Sequence, residues 1–206
     1  MMRDMKEQNS EYRDSEYMQM ALNEARHAQG LGEIPIGAVV VYEPIDPATR
    51  RPLACPQVIA RAGNRRETDA DPAGHAEFLA LREAARRLGV WRLTGCTVYV
   101  TLEPCIMCAG LMHQARIDCC VFGAFDPKAG ALGSLYRIHE DERLNHSFAV
   151  RSGVCADESA QLLRSFFATR RAQARARRST ADGQVYSALS DSQGTQGEGE
   201  QSDADN

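Results

Sequence analysis

Cys96-Thr97-Val98-Tyr99-Val100-Thr101-Leu102-Glu103-Pro104-Cys105-Ile106-Met107-Cys108 holds a change of periodicity. Cys96 to Leu102 alternates and is rich in β-branched residues, so it reads as a strand. Pro104 suits the first turn of a helix, which good helix-forming and apolar residues continue to about Ala115. A second strand runs from Asp118 to Ala124. The spacing predicts a strand–helix–strand unit.

Outward from this unit the pattern repeats in kind. His75 to Leu88 places Phe78, Leu81, Ala85 and Leu88 on one side of a helix and Gly89 where such a helix ends. Earlier, Ile36 to Tyr42 and Val58 to Ala62 read as neighbouring antiparallel strands. Four of the eight prolines (Pro44, Pro47, Pro52 and Pro56) mark an exposed insertion at about 44–57 between them. Tyr12 to Gln29 is amphipathic and helical. After a Gly-rich connection from Asp126 to Ser134, a last strand is expected at Phe148 to Val154 and a last helix from Asp157 to about Arg177. This order predicts an α/β fold, a mixed five-stranded sheet sandwiched between helices.

The 206 residues are 43% hydrophobic and 25% charged, which excludes a wholly disordered, collagen-like or coiled-coil chain. No apolar run approaches the ~18–20 residues of a membrane span, and the acidic first residues lack the order of a signal peptide. A cytoplasmic protein without a membrane partner is expected. Six of the 28 acids fall in Ser179–Asn206, which has no Lys or Arg. The rest of the chain therefore sets 24 basic against 22 acidic side chains, and the overall charge of −4 does not exclude a nucleic-acid partner. The expected organisation is a flexible segment 1–11, a folded domain 12–178 and a disordered acidic tail 179–206.

The chemistry gathers at two helix starts. Cys105 and Cys108 are three apart, so on a helix both thiols project from one face, and His75 opens the other helix. One imidazole and two thiolates make three zinc ligands, leaving a fourth position for water unless Cys55, Cys96 or another side chain closes the site. Zinc lowers the pKa of bound water, and Glu77, two residues past His75, is placed to act as general base without coordinating.

The pair His-x-Glu and Pro-Cys-x-x-Cys is the zinc nucleoside and nucleobase deaminase signature. Asn64, Asp71-Pro72, His75-Ala76-Glu77, Thr101 to Gly110 and Arg116-Ile117 resemble the bacterial tRNA-specific adenosine deaminases of the cytidine/deoxycytidylate deaminase superfamily. So do Phe122-Gly123-Ala124 with Asp126, Lys128 to Ala131, Gly133-Ser134, Leu144-Asn145-His146 and Phe166-Phe167. The similarity covers about Tyr12 to Arg178. It implies a three-layer α/β/α cytidine-deaminase-like fold, a homodimer, and one Zn2+ per subunit on His75, Cys105 and Cys108. It implies Glu77 as the catalytic proton shuttle and Asn64, Ala76 and Asp126 in substrate binding. The implied reaction is hydrolytic deamination of adenosine to inosine at the wobble position of a tRNA anticodon stem-loop, by zinc-bound hydroxide. Phe166, Phe167, Arg170 and Arg171 are candidate RNA contacts near a basic run that ends at Arg178. The chain departs from the family pattern at Gly74, at Phe125 and in the Pro-rich insertion, none of which removes a catalytic group.

Two other readings share the zinc site. A deaminase of a free base such as guanine or cytosine needs no RNA surface. A non-catalytic zinc-dependent RNA-binding module has no use for Glu77.

Overall fold

The computed structural model describes residues 2–46, 48–49 and 51–193, with side chains from Tyr12 to Arg177. Contacts divide the chain into two units, one up to Phe166 and one from Phe167 onward. In chain order the elements are α1 (Met2–Gly30), β1 (Gly37–Tyr42), β2 (Gln57–Gly63), α2 (Ala76–Leu88), β3 (Cys96–Leu102), α3 (Ile106–Ala115), β4 (Cys119–Ala124), β5 (Ala149–Ser152) and α4 (Ala156–Gln193).

The five strands form one sheet in the order β2-β1-β3-β4-β5. β1 lies antiparallel to both β2 and β3, while β3, β4 and β5 run parallel. Parallel neighbours require a crossover, and α3 supplies it between β3 and β4. The expected strand–helix–strand unit is thus the middle of a mixed sheet.

Both sheet faces are covered, which explains why β1 and β4 read as continuous apolar runs. Ala38 and Val40 of β1, Val98 and Val100 of β3, and Cys120 and Phe122 of β4 face α2 and α3. Their neighbours Val39, Val41, Tyr99, Cys119 and Val121 pack under Met18, Ala21 and Leu22 of α1 with Leu162 of α4. This gives the three layers. Phe122 is fully buried, and its truncation to Ala would cost about 3–5 kcal/mol.

Both terminal helices are longer than the sequence reading drew them. α1 begins at Met2 inside the segment expected to be flexible, and α4 continues to Gln193, past the expected start of the disordered tail. Neither extension contains proline, and each residue added to an existing helix gains a backbone hydrogen bond without a new nucleation cost. Residues 194–206 of the tail lie outside the described residues. β5 is shorter at both ends than expected. The connection between β1 and β2 carries a bridge between Ile45 and Pro52, and Arg51 to Cys55 are exposed.

Candidate active site

His75 and Cys105 occupy the N-cap positions of α2 and α3. Such positions favour Ser, Thr, Asp or Asn, whose oxygens bond the free N–H groups of the first turn. Neither His75 nor Cys105 makes a side-chain cap, and both turn toward a common point. His75 Nδ1 lies 3.7 Å from Cys105 Sγ and 3.6 Å from Cys108 Sγ. The three donor atoms lie within 4.8 Å of one another.

This spacing fits a tetrahedral cation. Bonds of about 2.3 Å to sulfur and about 2.0 Å to nitrogen place such atoms about 3.6 Å apart at a tetrahedral angle. The protons of the cluster are already shared unequally. The Cys105 thiol is held down to about 4, first by the hydrogen bond from Cys108 and then by His75. Cys108 is pushed up, and the bond with Cys105 raises His75. The positive ends of two helix dipoles add to the preference for thiolate. Among the described residues no fourth ligand of this kind joins the group. Cys96 is buried in the core, its thiol pushed up to about 12 by burial, and Cys55 is exposed in the β1–β2 connection. The closed structural site therefore lacks the cysteines that would close it.

Glu77 stands in the first turn of α2 and is only 4% exposed. Burial pushes its carboxyl above the ordinary range, against hydrogen bonds from its own backbone N–H and from Cys108. A carboxyl that must take and return a proton near neutrality is served by a shift in this direction. Ala76 is the first residue of α2, where backbone N–H groups have no intrahelical acceptor. The Arg65 N–H bonds Gly74 O at 2.8 Å, so Asn64 and His75 flank the same hydrogen bond. Asn64 is itself buried.

Asp126 works mainly on its own turn, its Oδ1 accepting from Lys128 N–H at 2.9 Å and Ala129 N–H at 3.2 Å. Phe166 is 7% exposed while Phe167 is 42% exposed. Phe166 is thus corrected from surface contact to buried side chain, since successive helical residues point to different sides. Arg170 and Arg171 are exposed in the second unit.

Two buried carboxylates that bond predicted site residues, Glu103 to Asp126 and Glu33 to Asn64, were missed by motif reading. Glu103 accepts from the N–H groups of Asp126, Leu132 and Ser134 at 2.9–3.1 Å and from the Ser134 hydroxyl. Burial alone would raise its pKa, but these bonds more than offset that and hold it low. It packs so closely on Gly130 that a Cβ there would sit 2.3 Å from the carboxylate, and Gly130 pairs with Cys105. Glu103 thereby fixes the 126–134 loop beside a ligand. Glu33, fully buried between α1 and β1, accepts from Asn64 and Thr68. A charged residue inside the otherwise apolar and glycine-rich stretch Gly32-Glu33-Ile34-Pro35 was the available signal.

Residues 11–124 match the family described as the cytidine and deoxycytidylate deaminase zinc-binding region. The chain belongs to that deaminase family. It is 45% identical over 165 residues to a tRNA-specific adenosine deaminase of Bacillus subtilis strain 168, covering 80% of this chain and 95% of that one. To the tRNA-specific adenosine deaminase of Haemophilus influenzae it is 42% identical over 158 residues, covering 77% and 85%. A solved structure from studies of A-to-I editing by tRNA:A34 deaminases at the wobble position superposes with a TM-score of 0.63 at 42% identity, covering 72% of this chain and 99% of that one. A guanine deaminase of Nitrosomonas europaea, 23% identical with a TM-score of 0.58 over 75% of this chain and 84% of that one, shares the fold alone. The resemblance read from the motifs and the deaminase fold it implied are both met.

Proposed function

We propose that the protein hydrolytically deaminates adenosine to inosine at the wobble position of a tRNA anticodon, with one zinc ion per subunit on His75, Cys105 and Cys108. The observation that carries this reading is Glu77, a buried, non-ligating carboxyl two residues from His75 in a cluster of three converging metal-ligand atoms. The names of the relatives at 40–45% identity support the substrate.

Bound there, zinc supplies the Lewis acidity that makes water nucleophilic near neutral pH. Glu77 would take a proton from the attacking water and deliver it to N1 of the purine as the water oxygen adds to C6. A second proton transfer through Glu77 lets the C6 amine leave as ammonia, so adenosine and water become inosine and ammonia. Asn64 hydrogen-bonds the base, and the N–H of Ala76, the first residue of α2, is a second donor to the substrate. Asp126, which organises its own turn, contributes to substrate binding in the same reading. An anticodon loop offers the base already unpaired, which keeps the cost of unstacking low.

Exposed Phe167, Arg170 and Arg171 serve the RNA as stacking and phosphate contacts. A homodimer is part of the same reading, supported by an apolar groove lined by Leu81, Ala85, Leu93 and Leu111 beside Trp91, which is 60% exposed. A cytoplasmic location follows from the substrate, and among the described residues no helix is long and apolar enough to cross a membrane.

The test is a single-turnover assay of metal-replete protein on an anticodon stem-loop with adenosine at the wobble position, beside free adenine, cytosine and guanine. Inosine in the loop alone is expected. Turnover of a free base with an untouched loop would move the substrate to the free-base class.

A further inference from the structure

Glu33 precedes Asn64 by 31 residues, yet the two side chains meet inside the protein: Asn64 Nδ2 donates to Glu33 Oε2 at 2.9 Å, and Thr68 N–H donates to Glu33 Oε1 at 2.6 Å. Glu33 is 0% and Asn64 4% exposed. Burial would raise the Glu33 carboxyl, but hydrogen bonds from Thr68, from the Glu67 backbone and from Asn64 outweigh it and hold the group low. The carboxylate is therefore ionised and can only accept. An amide facing it has one choice: the NH2 end must point at Glu33. The Asn64 backbone is pinned as well, its N–H bonding Ile36 O at 2.9 Å.

We propose that Glu33 is a positioning residue for the deamination, fixing which end of the Asn64 amide faces the purine. The proposal rests on the reading of Asn64 as a base contact. With its flip locked, Asn64 offers the base one fixed arrangement of Oδ1 and its second N–H. A buried site with a fixed donor–acceptor pattern discriminates far better than one that rearranges. Glu33 touches no reacting atom and acts through Asn64.

The test compares Glu33→Gln, Asn64→Ala and the double variant in single-turnover deamination of the stem-loop, with zinc content measured for each. The amide introduced by Glu33→Gln keeps an acceptor for Thr68 but can also donate, so Asn64 is no longer held one way. Glu33→Gln is expected to retain zinc and lose roughly ten- to a hundred-fold in rate, the scale of a charge-assisted buried hydrogen bond. The double variant should then be no slower than Asn64→Ala. Losses that multiply in the double variant, or a Glu33→Gln enzyme with wild-type rate beside an impaired Asn64→Ala, would overturn the positioning role and leave the base contact standing. A wild-type rate for Asn64→Ala would overturn the base contact and the proposal with it. A second pair covers failure of Glu33→Gln to fold. Asn64→Asp sets two carboxylates face to face, and adding Glu33→Gln restores one donor to one acceptor; the pair must regain thermal stability over Asn64→Asp alone, and an absence of rescue counts against the contact.

Discussion

At Glu77 the division of labour between holding a metal and moving a proton is decided by one helical turn. His75 stands at the N-cap position just outside α2, whereas Glu77 lies within the first turn and is buried outside the ligand cluster. Glu77→Ala is expected to keep its zinc and lose about 10²–10⁴-fold in single-turnover rate, read beside metal analysis of the same sample. Glu103 makes a different prediction. Its folded pKa is depressed, so its contribution to stability is present above the unfolded value of about 4.3 and is lost as pH falls through the folded value. Between about pH 5 and pH 3 the wild type should therefore lose more stability than Glu103→Gln. At pH 7 that variant should be less stable by about 1–3 kcal/mol, as four donors lose a full charge. Paired denaturation curves at the two ends of this range check the sign. The cluster of His75, Cys105 and Cys108 was legible because metal ligands recur at set spacings. Glu33 and Glu103 were not, because a buried carboxylate announces itself only by donors that arrive from distant parts of the chain.

Among the elements, strands were read well wherever both faces are buried, and β3 runs from Cys96 to Leu102 as drawn. Helix starts were read early, at His75 where α2 begins with Ala76 and at Pro104 where α3 begins with Ile106, since a residue at or just before the N-cap looks from sequence like the first helical residue. What joins the elements was less visible. Asp14 of α1, 4% exposed, accepts from Tyr99 Oη of β3 at 2.8 Å and from Arg151 of β5 at 2.7 and 2.8 Å. One acid among the six of an amphipathic helix reads as solvent-facing, and only the fold brings Arg151 to it. Asp14→Ala leaves both partners unpaired at the helix–sheet seam. A loss of about 1–3 kcal/mol, and a melting temperature lower by several degrees, is expected by calorimetry, with Tyr99→Phe costing less.

For the whole molecule, the three ligand atoms join α2 to α3, so on the proposed reading removal of zinc would be a stability event as well as a catalytic one. Chelation should lower the melting temperature and abolish turnover together, and readdition of zinc should restore both. RNA binding has its own signature. If Arg170 and Arg171 contact phosphates, replacing each with Ala should reduce the slope of log affinity against log salt by about 0.7–0.9, with little change in stability.

The register of β1 holds a practical consequence. Gly37 pairs with Gly63 at the end next to Asn64, and Tyr42 pairs with Gln57 at the end that leads into the Pro-rich connection. At about 3.3 Å per residue these ends lie about 16 Å apart, and strand pairing separates them throughout. The connection is thus insulated from the chemistry by the sheet itself. It is a natural grafting point, where a reporter or targeting module can be spliced into the chain and selection can vary length and sequence without touching His75, Glu77, Cys105 or Cys108.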